Sequence, residues 1–285
     1  MKRILIQLDT DPHPSTFDRV VAVDAGADEV FAYGGVTPDN VTPLVHGAIF
    51  TRGPDELKHT AIFIGGSDVA AGEAVLAKVS KTFFGPMRVS VMMDSNGSNT
   101  TAAAAVQAAA RHVGLQGLTA LVLGGTGPVG HRAAEILAMN GARVRVASRS
   151  KHRASETLAA IRTAVPDAHL ESAESAGKGL AAALDGAALV IAAGAAGVQF
   201  LTAGQWRSLP ALQVAIDLNA VPPVGLEGIG VTDKRTEHAG KTCYGAIGIG
   251  GTKMKVHKAA LARLFESNNL VLNTAAIAQI AEEIG

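Results

Sequence analysis

The chain has 285 residues, with 25 Lys and Arg against 25 Asp and Glu, 48% hydrophobic and 18% charged residues. It is too apolar and too weakly charged for disorder, and a net charge of zero lacks the basic excess of a nucleic-acid binder or of a protein drawn to anionic membranes. The one cysteine, Cys243, excludes an internal disulfide and a cysteine-based metal cluster, and no apolar run reaches the roughly 18 residues of a membrane span.

In chain order, the first apolar run is Ile4–Leu8, too short for the roughly 7–15-residue core of a signal peptide. The expectation is a cytoplasmic protein. Further nearly continuous apolar runs predict strands at Ala61–Ile64, Val89–Met93, Ala120–Leu123, Arg143–Ala147, Leu189–Ala192 and Val214–Leu218. Continuous runs, unlike alternating ones, suit strands buried on both faces of a parallel sheet. Helices are expected between them, roughly over 69–82, 99–112, 129–140, 151–164 and 175–185. This alternation reads as βαβ units. Gly114-Leu115-Gln116-Gly117 marks a break after an Ala-rich helix. The expected division is an N-terminal α/β substrate domain, 1–114, and a nucleotide domain, 115–255. Two last helices, near 256–266 and 274–283, have no strand after them and are expected to pack back on the N-terminal half.

Leu121-Val122-Leu123-Gly124-Gly125-Thr126-Gly127-Pro128-Val129-Gly130 holds the strongest local signal. The pattern G-x-G-x-x-G falls on Gly125, Gly127 and Gly130, after an apolar strand and at the start of a helix, as a dinucleotide site requires. Gly125 is expected to allow the tight turn, Gly127 the approach of a pyrophosphate, and Gly130 close helix–strand packing. Free amides at the helix start hold phosphate, and Pro128 suits a first helical turn.

The next strand ends at Ser148-Arg149-Ser150-Lys151-His152-Arg153. An NAD site usually has an acid here for the ribose 2′-hydroxyl. A hydroxyl with guanidinium groups instead binds a 2′-phosphate through charge-assisted hydrogen bonds. The expected cofactor is therefore NADP, held by Ser148 and Arg149 first, with Lys151 and Arg153 behind them. Loops after two further strands face the same crevice in such sheets. They would bring Ala193 and Gly194 as backbone, and Asn219 toward the nicotinamide carboxamide. The fold class is thus α/β and two-domain: a Rossmann-type parallel-sheet NADP domain plus an N-terminal α/β domain, with a cleft between them.

Three other segments supply polar or aromatic groups. Asp94-Ser95-Asn96-Gly97-Ser98-Asn99-Thr100-Thr101 follows a strand and precedes a helix. It reads either as a well-capped helix start or as a polar clamp on a heteroatom-rich substrate, through Asp94, Ser95, Asn96, Ser98, Asn99 and Thr101. Phe17 reads as a core residue or an aromatic platform. The glycine-dense run from Cys243 to Lys255 leads into the helix near 256, with Gly245, Ala246 and Gly248 close to a cofactor. Lys253 is either solvated at that helix start or turned toward substrate. No spacing suggests a metal site or a hydrolytic nucleophile.

The stretches TRGPDELKHTAIFIGG (51–66), DSNGSNTTAAA (94–104), GTGPVG (125–130), NAVPPVG (219–225) and GAIGIGGTKMKVHKA (245–259) resemble the NADP-dependent methylenetetrahydromethanopterin dehydrogenases of methylotrophic bacteria, some of which also use methylenetetrahydrofolate. The resemblance runs to Leu264–Ser267. It implies hydride transfer from a pterin methylene carbon to NADP⁺ in one-carbon metabolism, and a homo-oligomer. It places Lys253 on the active-site lysine, Phe17 beside the pterin, and Asn219 with the 245–250 run along the nicotinamide. Where one member of the family has Gly-Arg-Lys, this chain has Ser148-Arg149-Ser150-Lys151; the arginine remains. Two other readings are a folate- or shikimate-related NADP dehydrogenase and a non-catalytic NADP sensor. No lysine stands out for the Lys–Asp pair of shikimate-type enzymes or as the cyclohydrolase lysine of bifunctional folate enzymes, and the polar loop with Lys253 speaks against the sensor.

Overall fold

The computed structural model describes residues 1–285. In chain order it contains β1 (Ile4–Asp9), α1 (Thr16–Asp24), β2 (Glu29–Tyr33), α2 (Thr42–Ile49), β3 (Thr60–Gly65), α3 (Val69–Thr82), β4 (Ser90–Met93) and α4 (Ser98–Ala110). There follow β5 (Thr119–Leu123), α5 (Pro128–Met139), β6 (Arg143–Ser148), α6 (Lys151–Ala164), β7 (His169–Glu174), α7 (Gly177–Leu184), β8 (Leu189–Ala192), α8 (Ala203–Arg207) and β9 (Val214–Asp217). The chain closes with β10 (Lys234–His238), β11 (Lys241–Tyr244), α9 (Ala246–Arg263), β12 (Val271–Leu272) and α10 (Thr274–Glu283). It forms two compact units, one of Met1–Thr100 with Met254–Ile284, the other of Thr101–Lys253.

The first unit holds a five-stranded sheet in the order β12-β4-β3-β1-β2, parallel throughout. β1 and β3 run Leu5, Ile6, Leu8 and Ile62, Phe63, Ile64 without alternation because both faces are buried. Ile6, Leu8, Ile62 and Ile64 pack with Val45 and Ile49 of α2 and Val75 and Val79 of α3. Fully burying each such side chain contributes about 1.5–3 kcal/mol. Helix starts are fixed locally: Asp68 accepts from Ala71 N at α3 and Asn273 from Ala276 N at α10. Against the expectation of no late strand, Val271–Leu272 pairs with Val91–Met92. Ser90 Oγ secures that edge, donating to Ser267 O and accepting from Leu270 N. Two residues are too few to leave a pattern in sequence.

The second unit holds a seven-stranded sheet in the order β10-β11-β9-β8-β5-β6-β7. All pairs are parallel except β10 with β11. Its core joins Leu121, Leu123, Val190, Ala215 and Trp206. The indole of Trp206 is wholly buried, and its Nε1 donates to Glu227 O at 2.9 Å. The α1 and α2 helices and the β2, β7, β10 and β11 strands were not foreseen in the apolar pattern. Each is short, polar or aromatic rather than a continuous aliphatic run. No helix is long and apolar enough to cross a membrane.

Candidate functional site

In the second unit a cavity of about 340 Å³ opens at the carboxyl ends of β5, β6 and β8. Thr126 and Gly127 line it from the glycine loop, Ser148, Arg149 and Arg153 from the β6–α6 junction, and Ala193 and Gly194 from the loop after β8. Ser148 is held by two contacts: its Oγ accepts from Ser150 N at 3.1 Å and lies 3.4 Å from Thr126 Oγ1. Arg149 and Arg153 are exposed and have no carboxylate within ion-pair distance. Lys151 differs. Its side chain is 88% exposed and its Nζ lies 3.4 Å from Glu174, outside the cavity lining.

α5 begins at Gly127 and Pro128 with no side-chain cap, whereas Ser150 caps α6. An uncapped helix start leaves amides for an anion. The residues present therefore fit a dinucleotide with an additional phosphate. Uncompensated guanidinium groups, a fixed hydroxyl and an uncapped helix start all face one cavity.

The glycines divide their work differently from the sequence expectation. Gly124, not Gly125, turns the chain, at φ +71°, and a Cβ there would lie 2.8 Å from Gly194 Cα. Gly125 is needed for packing: its Cβ would meet Val146 Cγ1 at 2.8 Å. Gly130 brings α5 onto the loop, since its Cβ would meet Gly124 O at 2.4 Å. Gly194 clears the Phe200 ring, 2.4 Å from where a Cβ would stand. Ser150, Ser175, Val198 and Phe200 also line the cavity and were missed. Ser175 follows β7, which left no apolar signal. Pro128 is exposed and Val129 half-buried, both outside the lining.

The loop after β9 is self-contained. Asp217 accepts from Asn219 N at 3.0 Å and Leu226 N at 2.7 Å. Burial pushes its pKa above the usual value, against those backbone donors. Asn219 is buried; it donates to Pro223 O and accepts from Val221 N. Its amide thus holds the loop carrying the cis Pro222–Pro223 bond.

The glycine run after Cys243 is a correction. From Ala246 onward it is helix rather than loop: α9 starts there, not near 256, and continues for 18 residues. Glycine is a poor helix former, which hid the helix. The missing side chains serve packing, since a Cβ on Gly245 would stand 2.1 Å from Gly230 O and one on Gly248 1.8 Å from Asp233 O. A Gly248→Ala variant is expected to lose about 3 kcal/mol by overpacking. Its melting temperature should fall by roughly 6–12 °C; an unchanged melt would contradict the contact. Lys253 therefore lies within α9 and is half-buried, not at a solvated helix start.

The 94–101 loop is mainly a junction between β4 and α4. Asp94 accepts from Asn99 N at 2.9 Å, Thr100 N at 3.0 Å and Thr100 Oγ1 at 2.6 Å. Ser95 Oγ donates to Gly65 O, Ser98 Oγ to Ser95 O, and Asn99 Nδ2 to Met93 O. All four side chains are buried. Asn96, at φ +57°, is exposed and Thr101 half-buried; these two keep surface for a ligand. Asp94→Ala would strip three donors of their acceptor. A cap loss of ~1 kcal/mol plus buried unsatisfied donors at ~1–3 kcal/mol gives an expected cost of about 2–3 kcal/mol, read from urea unfolding.

Phe17 is 52% exposed on α1. Behind it lies His257, wholly buried, its ring centroid 6.3 Å from that of Phe17 and 5.8 Å from that of Phe63. His257 Nε2 is 3.9 Å from Asp18 Oδ1. Sequence reasoning gave His257 no role. The signal was its place four residues after Lys253, one helical turn, which needed the helix to be known.

A mostly parallel sheet with a glycine turn at β5–α5 and unpaired arginines after β6 is the arrangement of a dinucleotide-binding unit. Two solved structures share the fold. Quinate dehydrogenase from Corynebacterium glutamicum in complex with NAD has a TM-score of 0.54 at 14% identity, covering 99% of each chain. Shikimate dehydrogenase from Mycobacterium tuberculosis has 0.51 at 15%, covering 99% of this chain and 100% of that one. Residues 16–96 match the family described as methylene-tetrahydromethanopterin dehydrogenase, N-terminal. Two proteins of Methylorubrum extorquens are similar over most of their length. One, bifunctional protein MdtA, is 47% identical over 99% of both chains. The other, NAD(P)-dependent methylenetetrahydromethanopterin dehydrogenase, is 31% identical over 93% of both. The chain belongs to the methylenetetrahydromethanopterin dehydrogenase family.

Proposed function

We propose that this chain is an NADP-dependent dehydrogenase that takes hydride from the methylene carbon of methylenetetrahydromethanopterin, and also of methylenetetrahydrofolate, leaving the methenyl form. It works in the cytoplasm as a homo-oligomer. The observation that carries the cofactor assignment is the pair of unpaired arginines, Arg149 and Arg153, beside the fixed Ser148 hydroxyl. Family membership supports the pterin.

The chemistry asks little acid–base work of the protein. The methylene carbon lies between two nitrogens, whose lone pairs stabilise the cation left when hydride departs. No proton moves in that step. When bound, NADP⁺ supplies the hydride acceptor. The chain's own part is binding and alignment, which can supply most of a rate enhancement of this kind. In this reading the 124–130 loop and the start of α5 hold the pyrophosphate, while Ser148, Arg149 and Arg153 hold the 2′-phosphate. Phe17, backed by His257 and Phe63, offers a ring face to the pterin. Asn96 and Thr101 offer hydrogen bonds. Lys253 orients the pterin through its ammonium hydrogens.

The test is NADPH formation by the purified chain with each pterin, and with quinate and shikimate as controls. Turnover of the pterins alone is expected. Turnover of a hydroxy acid without the pterins would overturn the reading.

A further inference from the structure

In the second unit β10 and β11 pair antiparallel with a register shift: Lys234 faces Tyr244 and Thr236 faces Cys243, so Arg235 bulges from the ladder. It is held there at φ +57°, a left-handed conformation that is costly for a side chain such as arginine. Bulges re-aim side chains, and a strained residue that persists points to a use. Arg235 is brought to a hydrogen-bonded pair: His112 Nε2 lies 2.8 Å from Tyr244 Oη, with the ring centroids 5.8 Å apart. Burial, and then the charges of Arg235 and Arg111, hold the pKa of His112 below its usual value. Burial pushes the pKa of Tyr244 up, and the same two arginines oppose that rise. Both guanidinium groups are exposed, and neither has a hydrogen-bond or ion-pair partner. The acids on either side of Arg235 do not neutralise it. Asp233 is engaged by His238 Nε2 at 2.7 Å and Gly230 N at 2.8 Å, and Glu237 is in no ion pair. Arg111 alone would suit the end of α4, where the helix dipole favours a cation. Arg235 has no such reason.

The pair also has a direction. Tyr244 is 2% exposed, so its hydroxyl proton needs an acceptor, and His112 Nε2 is the partner the structure gives it. Nε2 then carries no proton, and the neutral ring holds its hydrogen on Nδ1. Nδ1 has no partner in the chain and is open to solvent. One ring N–H and two uncompensated guanidinium groups are thus donors without acceptors in one place. They lie at the carboxyl end of β11, on the sheet edge where the nucleotide cavity opens, two strands beyond β8. Ligands of such sheets bind beyond that edge. We propose that Arg111, His112 and Arg235 form an oxyanion site, which takes a carboxylate or phosphate group on the acidic tail of the pterin through charge-assisted hydrogen bonds. The assignment to the tail rests on the proposed function; the oxyanion site itself does not.

The test has two arms, both on the full chain. In the first, KM is measured for methylenetetrahydrofolate and for its glutamate dimethyl ester, whose tail is uncharged. The KM of the ester should be about tenfold higher in the wild type, a shift of ~1.4 kcal/mol, and within about twofold in Arg235→Gly. Glycine suits a positive φ, so that variant should also melt higher than the wild type, as expected of a residue kept for binding rather than for stability. In the second arm, inorganic phosphate is titrated without pterin while the His112 ring is followed by nuclear magnetic resonance. Phosphate should raise the His112 pKa in the wild type and leave it unmoved in Arg235→Gly. A phosphate response with no difference between acid and ester would support the oxyanion site, give it to a free oxyanion and overturn the tail. Absence of turnover with either pterin form would remove the proposed function, and the phosphate arm alone would then decide the site. A wild-type His112 pKa unmoved by phosphate, together with equal KM for acid and ester, would overturn the proposal.

Discussion

Replacing Arg149 with alanine is expected to raise the KM for NADP⁺ about 10- to 50-fold and leave that for NAD⁺ within about twofold. A charge-assisted hydrogen bond contributes ~1.5–3 kcal/mol, and the exposure of Arg149 argues for the lower half of that range. The effect is confined to NADP⁺ because a guanidinium aimed at a 2′-phosphate has no counterpart in NAD⁺. It is not absorbed by an internal partner, because no carboxylate pairs with Arg149. Lys151→Ala should change either KM little, since its ammonium faces Glu174. Equal losses with both cofactors in Arg149→Ala would mean that this arginine shapes the cavity generally and reads no phosphate.

Lys253→Ala is expected to lower kcat/KM for the pterin about 100- to 1,000-fold, the scale of losing one preorganised polar group at a reacting centre. The dissociation constant for NADP⁺ should stay within about twofold. Alanine is the best helix former, so α9 should persist and the melting temperature should hold. A positively charged lysine does not itself stabilise a cationic product; the role proposed for it is to fix the substrate's orientation. Lys253→Arg keeps the charge but presents a planar fork on a longer reach, and should recover little. Turnover close to wild type in Lys253→Ala would remove the residue from the site.

Much of the fold is legible in the sequence wherever burial on both faces forces a continuous aliphatic run. β5, β8 and β9 sit in the middle of the seven-stranded sheet, and each announces itself. α3 and α6, bounded by Asp68 and Ser150 caps, run over 69–82 and 151–164 as the sequence suggests. Legibility fails at edges. β2 and β7 face solvent on one side and carry aromatic or acidic residues, so they lack the aliphatic signature. It fails again in α9, where Gly248, required for close packing against Asp233, contradicts helix propensity.

The cavity proposed for the nucleotide has residues that the sequence singles out, because phosphate binding would ask for a local set: glycines, a hydroxyl and arginines within a short span. The first unit was harder. A string of polar side chains after β4 looks the same whether it caps a helix or holds a ligand. Only the hydrogen bonds of Asp94, Ser95, Ser98 and Asn99 show that these four are used by the fold. His257 likewise gains meaning only once Phe17 and Phe63 are seen on either side of it.

The central claim is that the cavity beside Ser148, Arg149 and Arg153 selects NADP⁺ for oxidation of a methylene pterin. The most direct measurement is the ratio of kcat/KM for NADP⁺ to that for NAD⁺, with saturating methylenetetrahydromethanopterin and the wild-type chain. Two guanidinium groups on one phosphate should set that ratio at about 100 or more, from ~1.5 kcal/mol or above for each. A ratio near one, or pterin oxidation with NAD⁺ alone, would contradict the account.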